Sequence, residues 1–187
     1  MADFLIRKVG INKDPLPNGM GRGTLCVEGR MKRIPLITQG YEAIVDDEDH
    51  KNLSQHKWYR IKGGYAISRI EINGEEKFIY MHREIMKPSD GMEVDHINGK
   101  KLDNRRCNLR ICERWQNNGN QKKRKGGSSK FKGVYRHTQT GKWCAYIHKK
   151  DKAYYLGCFV NEYEAASAYN EEAKKYFGEY AWLNEII

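Results

Sequence analysis

The residues best suited to chemistry lie between Val94 and Asn118, which reads V-D-H-I-N-G-K-K-L-D-N-R-R-C-N-L-R-I-C-E-R-W-Q-N-N. Asp95 and His96 set a carboxylate beside an imidazole on an apolar-flanked strand, and Asn98-Gly99 follows as a turn. Asn108 lies twelve residues after the histidine and Asn117 twenty-one after it. A neutral histidine suits proton abstraction because its ordinary pKa is near 6.5. On a strand Asp95 and His96 point to opposite faces, because side chains alternate. Taken singly these features are bland. An Asp-His pair usually closes a turn, Asn-Gly is the commonest hairpin signal, and Asn-Leu-Arg alone carries nothing. Their value comes from the order strand, turn, loop, helix.

That order, with Asp-His-Ile, Leu-Asp-Asn-Arg, Asn-Leu-Arg and Gln-Asn in register over about residues 80–120, resembles the HNH nuclease motif of the ββα-metal fold in its phage and homing form. The resemblance implies hydrolysis of a DNA phosphodiester with one divalent metal ion. Such a reaction needs an activated water and stabilisation of charge on phosphorus and on the departing oxygen. Carried over by position, His96 is the base and Asp95 a metal ligand. Asn117 supplies the oxygen that other branches take from a histidine. Asn108 braces the loop and helps to hold the His96 ring. An all-oxygen pair of ligands favours Mg2+ or Mn2+ over zinc.

Composition is compatible with a polyanionic partner. The chain has 187 residues with 34 Lys and Arg against 24 Asp and Glu, a formal charge of +10, and a pI of about 9.3. The excess concentrates at Gln121–Lys132, where Lys122, Lys123, Arg124, Lys125, Lys130 and Lys132 occur without an acid. Between two DNA-binding units this run is expected along phosphates. A mean hydropathy of −0.85 and 39% hydrophobic residues favour small modules with modest cores. No apolar run suggests a signal peptide or a membrane span, so a cytoplasmic setting, in a bacterial or phage-infected cell, is expected. Five cysteines without a C-x-x-C pair predict free thiols, and Cys107 and Cys112 read as packing residues.

Along the chain, residues 1–36 say least: prolines and glycines mark a loop, with a short strand at Thr24–Glu28. Ile34 to Ile44 is strand-like, and Asp46–Asp49 reads as the acidic start of a helix reaching about Gln55 rather than as metal ligands. A hairpin follows, with strands Tyr65–Ile72 and Lys77–Tyr80 about an Asn73-Gly74 turn. A brief helix over Met81–Met86 ends before Pro88. Its His82 either approaches the site and the DNA or makes a structural hydrogen bond. Gly126-Gly127-Ser128-Ser129 marks a boundary. Beyond it, Gly133–His137, Lys142–Lys149 and Lys152–Phe159 predict three strands. Asn161-x-x-Glu164 predicts a capping box on a helix to Phe177, stopped by Gly178. Ala166, Tyr169, Ala173, Tyr176 and Phe177 share one helix face.

Lys-Phe-Lys-Gly-Val at 130–134, Gly-Lys-Trp at 141–143, Tyr-Leu-Gly-Cys-Phe at 155–159, Glu-Ala-Ala at 164–166, Ala-Tyr at 168–169 and Leu-Asn at 183–184 resemble the AP2 DNA-binding domain. That resemblance implies a sheet entering the major groove with a helix behind it. By position Lys132, Tyr135, His137, Tyr146, His148 and Tyr155 form the DNA face. The plant domains carry mostly arginines and tryptophans there, so arginine's bidentate grip on guanine is absent and their target sequence does not transfer.

The expectation is an α+β protein. Residues 1–36 form an N-terminal segment, and 37–121 an HNH module with a hairpin-rich lead-in. A basic linker spans 122–130, and an AP2-like sheet packed on one helix spans 131–187. Its expected partner is double-stranded DNA and its cofactor Mg2+ or Mn2+, with no membrane and no small-molecule cofactor, as a monomer or weak dimer. A restriction enzyme is a third possibility within the nuclease class. A non-catalytic DNA-binding regulator on a decayed nuclease scaffold is the alternative reading.

Overall fold

A computed structural model describes residues 31–150 and 152–186. It opens with an antiparallel pair, β1 (Met31–Pro35) and β2 (Glu42–Asp46), followed by α1 (Asp47–Leu53). Next comes a three-stranded antiparallel sheet of β3 (Trp58–Arg60), β4 (Ala66–Ile72) and β5 (Glu75–Tyr80). The β4–β5 turn is Asn73-Gly74, both at positive φ, as a tight hairpin turn requires. The short helix α2 (Met81–Met86) then leads to β6 (Glu93–His96), β7 (Leu109–Cys112) and α3 (Arg114–Gly119). One apolar core joins these pieces: Ile34, Val45, Leu53, Trp58, Ala66, Met81, Ile85, Val94 and Leu109 are all buried in it. Ile34 and Leu36 belong to that core, so β1 packs with the elements that follow residue 36. The expected strand at Thr24–Glu28 lies outside the described residues.

The long β6–β7 loop is tied to β2 rather than left to solvent. Ile44 donates its N–H to Leu102 O (2.8 Å) and accepts from Asn104 N–H (2.7 Å). The acids at the start of α1 grip the same loop: Asp46 accepts from the Arg106 backbone N–H (2.7 Å), and Asp49 takes the Arg106 guanidinium through two bonds. The first hairpin thereby fixes the loop.

The C-terminal part is an antiparallel sheet in the order β10 (Lys152–Phe159), β9 (Trp143–Lys149), β8 (Val134–Arg136), with α4 (Glu162–Phe177) against one side. Ala145 and Ile147 of β9 face the helix, where Ala165, Ala166, Tyr169, Ala173 and Phe177 are buried. Asn161 caps the helix through Tyr163 N–H (2.8 Å) rather than through the expected box with Glu164. Cys144 and Cys158, fourteen residues apart, meet in register across β9 and β10 and form a disulfide. Cys107 is also disulfide-bonded, so the free-thiol expectation is overturned at these positions. Cys112 is a free, buried thiol. Spacing along the chain carried no sign of a pairing that only strand register creates.

The expected linker is structured. Ser128 Oγ accepts from Arg136 N–H, and the buried Ser129 donates to Glu162 at the start of α4 (2.7 Å). The two parts are docked through α3. Gly119 O accepts from both Trp182 N–H (3.0 Å) and Lys132 Nζ (2.7 Å), and Trp115 packs on Phe177. A Cβ on Gly119 would sit 2.6 Å from the Phe177 ring. Gly119→Ala is expected to force α3 from α4 and to cost about 1–3 kcal/mol of stability, as overpacking does. Urea unfolding of the purified variant measures this, and an unchanged midpoint would show the contact to be loose.

Candidate active site

β6 carries two consecutive buried side chains, Asp95 and His96, and their surroundings differ completely. The imidazole of His96 is fully enclosed. His82 of α2 stands edge-on to it with ring centroids 5.1 Å apart, and Tyr65 packs at 5.9 Å. Its Nε2 lies 3.0 Å from Asn104 Oδ1. The amide orientation is set by the other end of the group: Asn104 Nδ2 donates to Met81 Sδ (3.4 Å), which can only accept. An amide oxygen likewise only accepts, so Nε2 carries the proton and Nδ1 keeps its lone pair. Among the described residues Nδ1 has no hydrogen-bond partner. Burial, the largest influence, lowers the His96 pKa, and the Asn104 bond opposes it. His82 is pushed down to about 3, mainly by burial and then by His96. Both rings are therefore neutral near pH 7, the form a base requires.

Asp95 faces the other way. Arg110, its register partner on β7, donates to Oδ2 from Nε (3.0 Å) and Nη2 (2.8 Å). Asn120, just past α3, donates to Oδ1 (3.0 Å) and to the His96 carbonyl (3.0 Å), clamping the end of β6. Arg110 is itself held from the C-terminal part, by Glu179 O (2.8 Å) and by the Tyr180 ring at 4.0 Å. Asn117 lies on the same side but bonds Glu93 (2.6 Å), two residues before Asp95, so no direct contact joins Asp95 to Asn117. Asn108 ties the loop ends together, donating to Asp103 O (2.7 Å) and accepting from Asn98 N–H (3.0 Å). Its side chain makes no bond to the His96 ring; Asn104 makes that bond. Sequence reasoning missed Asn104, Glu93, Arg110 and Asn120. Strand alternation from Asp95 points to Glu93, and a three-residue helical step from Asn117 points to Asn120.

A family model described as HNH endonuclease matches residues 87–118, the segment that supplies β6, the loop, β7 and most of α3. The chain is also similar to an uncharacterized HNH endonuclease of Acanthamoeba polyphaga mimivirus, with 34% identity over 153 residues, covering 79% of this chain and 77% of that protein. The chain belongs to the HNH endonuclease family. It is a DNA-cleaving hydrolase, of a family generally dependent on a divalent metal. Among the described residues no group of three or more His, Cys, Asp or Glu gathers into a metal cage. The donors on the Asp95 side are hard oxygens, from Asp95, Glu93 and the amide Oδ1 of Asn117, the type a hard cation takes, and both Asp95 oxygens are engaged by Arg110 and Asn120 in this arrangement. Burial pushes the neighbouring Cys112 thiol up to about 12, so it offers no thiolate. No helix among the described residues is long and apolar enough to cross a membrane.

Of the residues expected on a DNA face, Tyr135, Tyr146 and His148 form a row of edge-to-face rings, 5.7 and 5.1 Å apart, on the sheet side away from α4. Tyr155 is exposed beside Tyr146 in register. His137 is turned into the β8–β9 connection, where its Nδ1 accepts from Thr140 N–H (3.3 Å). Lys132 is not on this face. Its ammonium donates to Gly119 O in the docking seam, and burial lowers its pKa to about 8. In the basic run Lys122 stacks 4.8 Å over Trp182, Lys123 donates to Arg124 O, and Arg124 and Lys125 are exposed.

The neutral imidazole pair makes the endonuclease acid-sensitive. An unfolded chain takes up protons near pH 6.5 that folded His82 refuses until about 3. Stability is therefore fully present above pH 6.5 and is lost as pH falls toward 3. His82→Phe keeps a ring in place and is expected to flatten this loss relative to the wild type. Urea midpoints for the two proteins from pH 7.5 to 4 check it, and parallel curves would contradict it.

Proposed function

We propose that this chain is a divalent-metal-dependent DNA endonuclease of the phage or homing type, in which His96 is the general base. The observation that supports the base most directly is the Asn104 bond to Nε2, which leaves Nδ1 as a neutral acceptor. In this reading Nδ1 takes a proton from water as that water attacks phosphorus in line with the departing 3′ oxygen. Tyr65 and His82 pack on the enclosed ring, so one of them shifts when water reaches Nδ1. Asp95 and Asn117, with Glu93 beside them, would hold Mg2+ or Mn2+. When bound, that ion supplies Lewis-acid relief of charge on the phosphate and the leaving oxygen. Arg110 positions the Asp95 carboxylate, and Asn108 keeps the loop closed. The C-terminal part acts as an AP2-like reader through Tyr135, Tyr146, His148 and Tyr155. Lys122, Lys123, Arg124 and Lys125 lie along phosphates.

Incubation with supercoiled plasmid and Mg2+, with and without EDTA, tests the activity. His96→Ala is expected to lose cleavage by at least about 100-fold, the usual share of a general base. It should bind DNA as the wild type does. Asn104→Leu should lose cleavage in the same direction. Equal cleavage by His96→Ala and wild type, in matched preparations, would sink the assignment.

The metal reading has its own check. Asp95→Ala and Asn117→Ala should each raise the Mg2+ concentration for half-maximal cleavage, since each deletes one of few protein ligands. Full activity in EDTA would overturn it.

A further inference from the structure

Beside the His96 enclosure lies a groove of about 410 Å3, formed where the β3–β4 turn meets the β6–β7 loop and lined by Tyr41, Arg60, Lys62, Lys100 and Lys101. Among the described residues it contains four cations and no carboxylate. Elsewhere in the nuclease module Arg69, Arg105, Arg106 and Arg110 each hold an acid. Among the described residues none of the four groove cations does, so their charge is uncompensated. Arg60 lies over Tyr41, with its guanidinium carbon 4.3 Å from the ring centre, a contact that leaves its N–H groups available. The two walls touch at Gly64, whose φ of +88° suits glycine; a Cβ there would meet the Lys101 side chain at 3.6 Å and Arg60 Nη2 at 3.9 Å. The groove also runs to the site. Lys101 Nζ sits 4.8 Å over the Tyr65 ring, and that same ring packs on His96 and His82.

An open trough of unpaired cations that ends at a base suits a chain of phosphates better than a compact anion. We propose that this groove seats the sugar–phosphate backbone of the DNA strand being cut, with Arg60, Lys62 and Lys100 on phosphates beside the scissile one and Lys101 nearest to it. The inference rests on the nuclease reading and adds to it a binding surface on the nuclease module, apart from the C-terminal sheet. Delivery of the strand to His96 is then a property of the nuclease module itself, while the C-terminal part adds site choice.

Binding of a 30-base-pair duplex, followed by fluorescence anisotropy across a salt series, tests the proposal in full-length His96→Ala protein. The triple variant Arg60→Gln, Lys62→Gln, Lys100→Gln is compared with a control that removes three exposed lysines outside the groove, Lys51→Gln, Lys57→Gln, Lys174→Gln. The groove variant is expected to weaken binding at least tenfold and to flatten the plot of log affinity against log salt by about 2.7, from roughly 0.9 for each phosphate that the protein no longer neutralises. The control should change the slope by well under half of that. A version with Arg60→Lys, Lys62→Arg and Lys100→Arg keeps the charge and should restore the slope. An unchanged slope in the groove variant, or an equal loss in the control, overturns the proposal. Because binding is read without cleavage, a wild type that fails to cut plasmid would count against the nuclease reading and leave the result on the groove legible.

Discussion

Asp95 and His96 are consecutive residues of a four-residue strand, so their side chains leave the backbone in opposite directions and no single neighbour serves both. The rest of the molecule follows from this constraint. Each side of β6 needs its own enclosure, because a buried carboxylate and a buried imidazole are costly unless their polar atoms are paired. The His96 side is closed by the N-terminal elements: Tyr65 before β4, His82 on α2, and Asn104 on a loop that β2 holds. The Asp95 side is closed by Arg110 and Asn120, and Arg110 reaches the C-terminal part through Glu179 and Tyr180. The two ends of the chain thus brace opposite faces of one strand.

This division changes the meaning of the C-terminal part. Its seam with α3 is made of close contact at Gly119 and Phe177, a carbonyl shared by Trp182 and Lys132, and the cation–ring contact at Arg110. An arginine fastened to both Asp95 and Glu179 links the carboxylate to a residue 84 positions further along the chain. The segment proposed to read DNA therefore also supports the nuclease fold. Lys132 illustrates the distinction: its charge counts toward the basic run in sequence, yet its ammonium is tied into the seam.

Much of the architecture was legible in the residues. Asn73-Gly74 gave the hairpin, Gly178 the end of α4, and the alternation in β9 its two faces, because turn chemistry and period-two patterning are local. Asp95 and His96 were found because they are adjacent in a recognisable order. What escaped were the partners set by tertiary register. Asn104, four residues before Asn108, carries the same amide, and only the Ile44 tether decides which of the two faces the ring. Glu93 stands between Asp95 and the helix asparagine because Asn117 bonds it first. The Cys144–Cys158 pairing likewise exists only once β9 and β10 are in register.

In the proposed mechanism His96 is held neutral with its proton on Nε2, and Nδ1 is the working base. A long-range proton–nitrogen NMR correlation on histidine-labelled protein at pH 7 reads this directly. A protonated Nε2 signal and an unprotonated Nδ1 signal are expected for His96, assigned by their loss in His96→Ala, with the pattern disturbed in Asn104→Leu. A proton on Nδ1, or a doubly protonated ring at that pH, would contradict it.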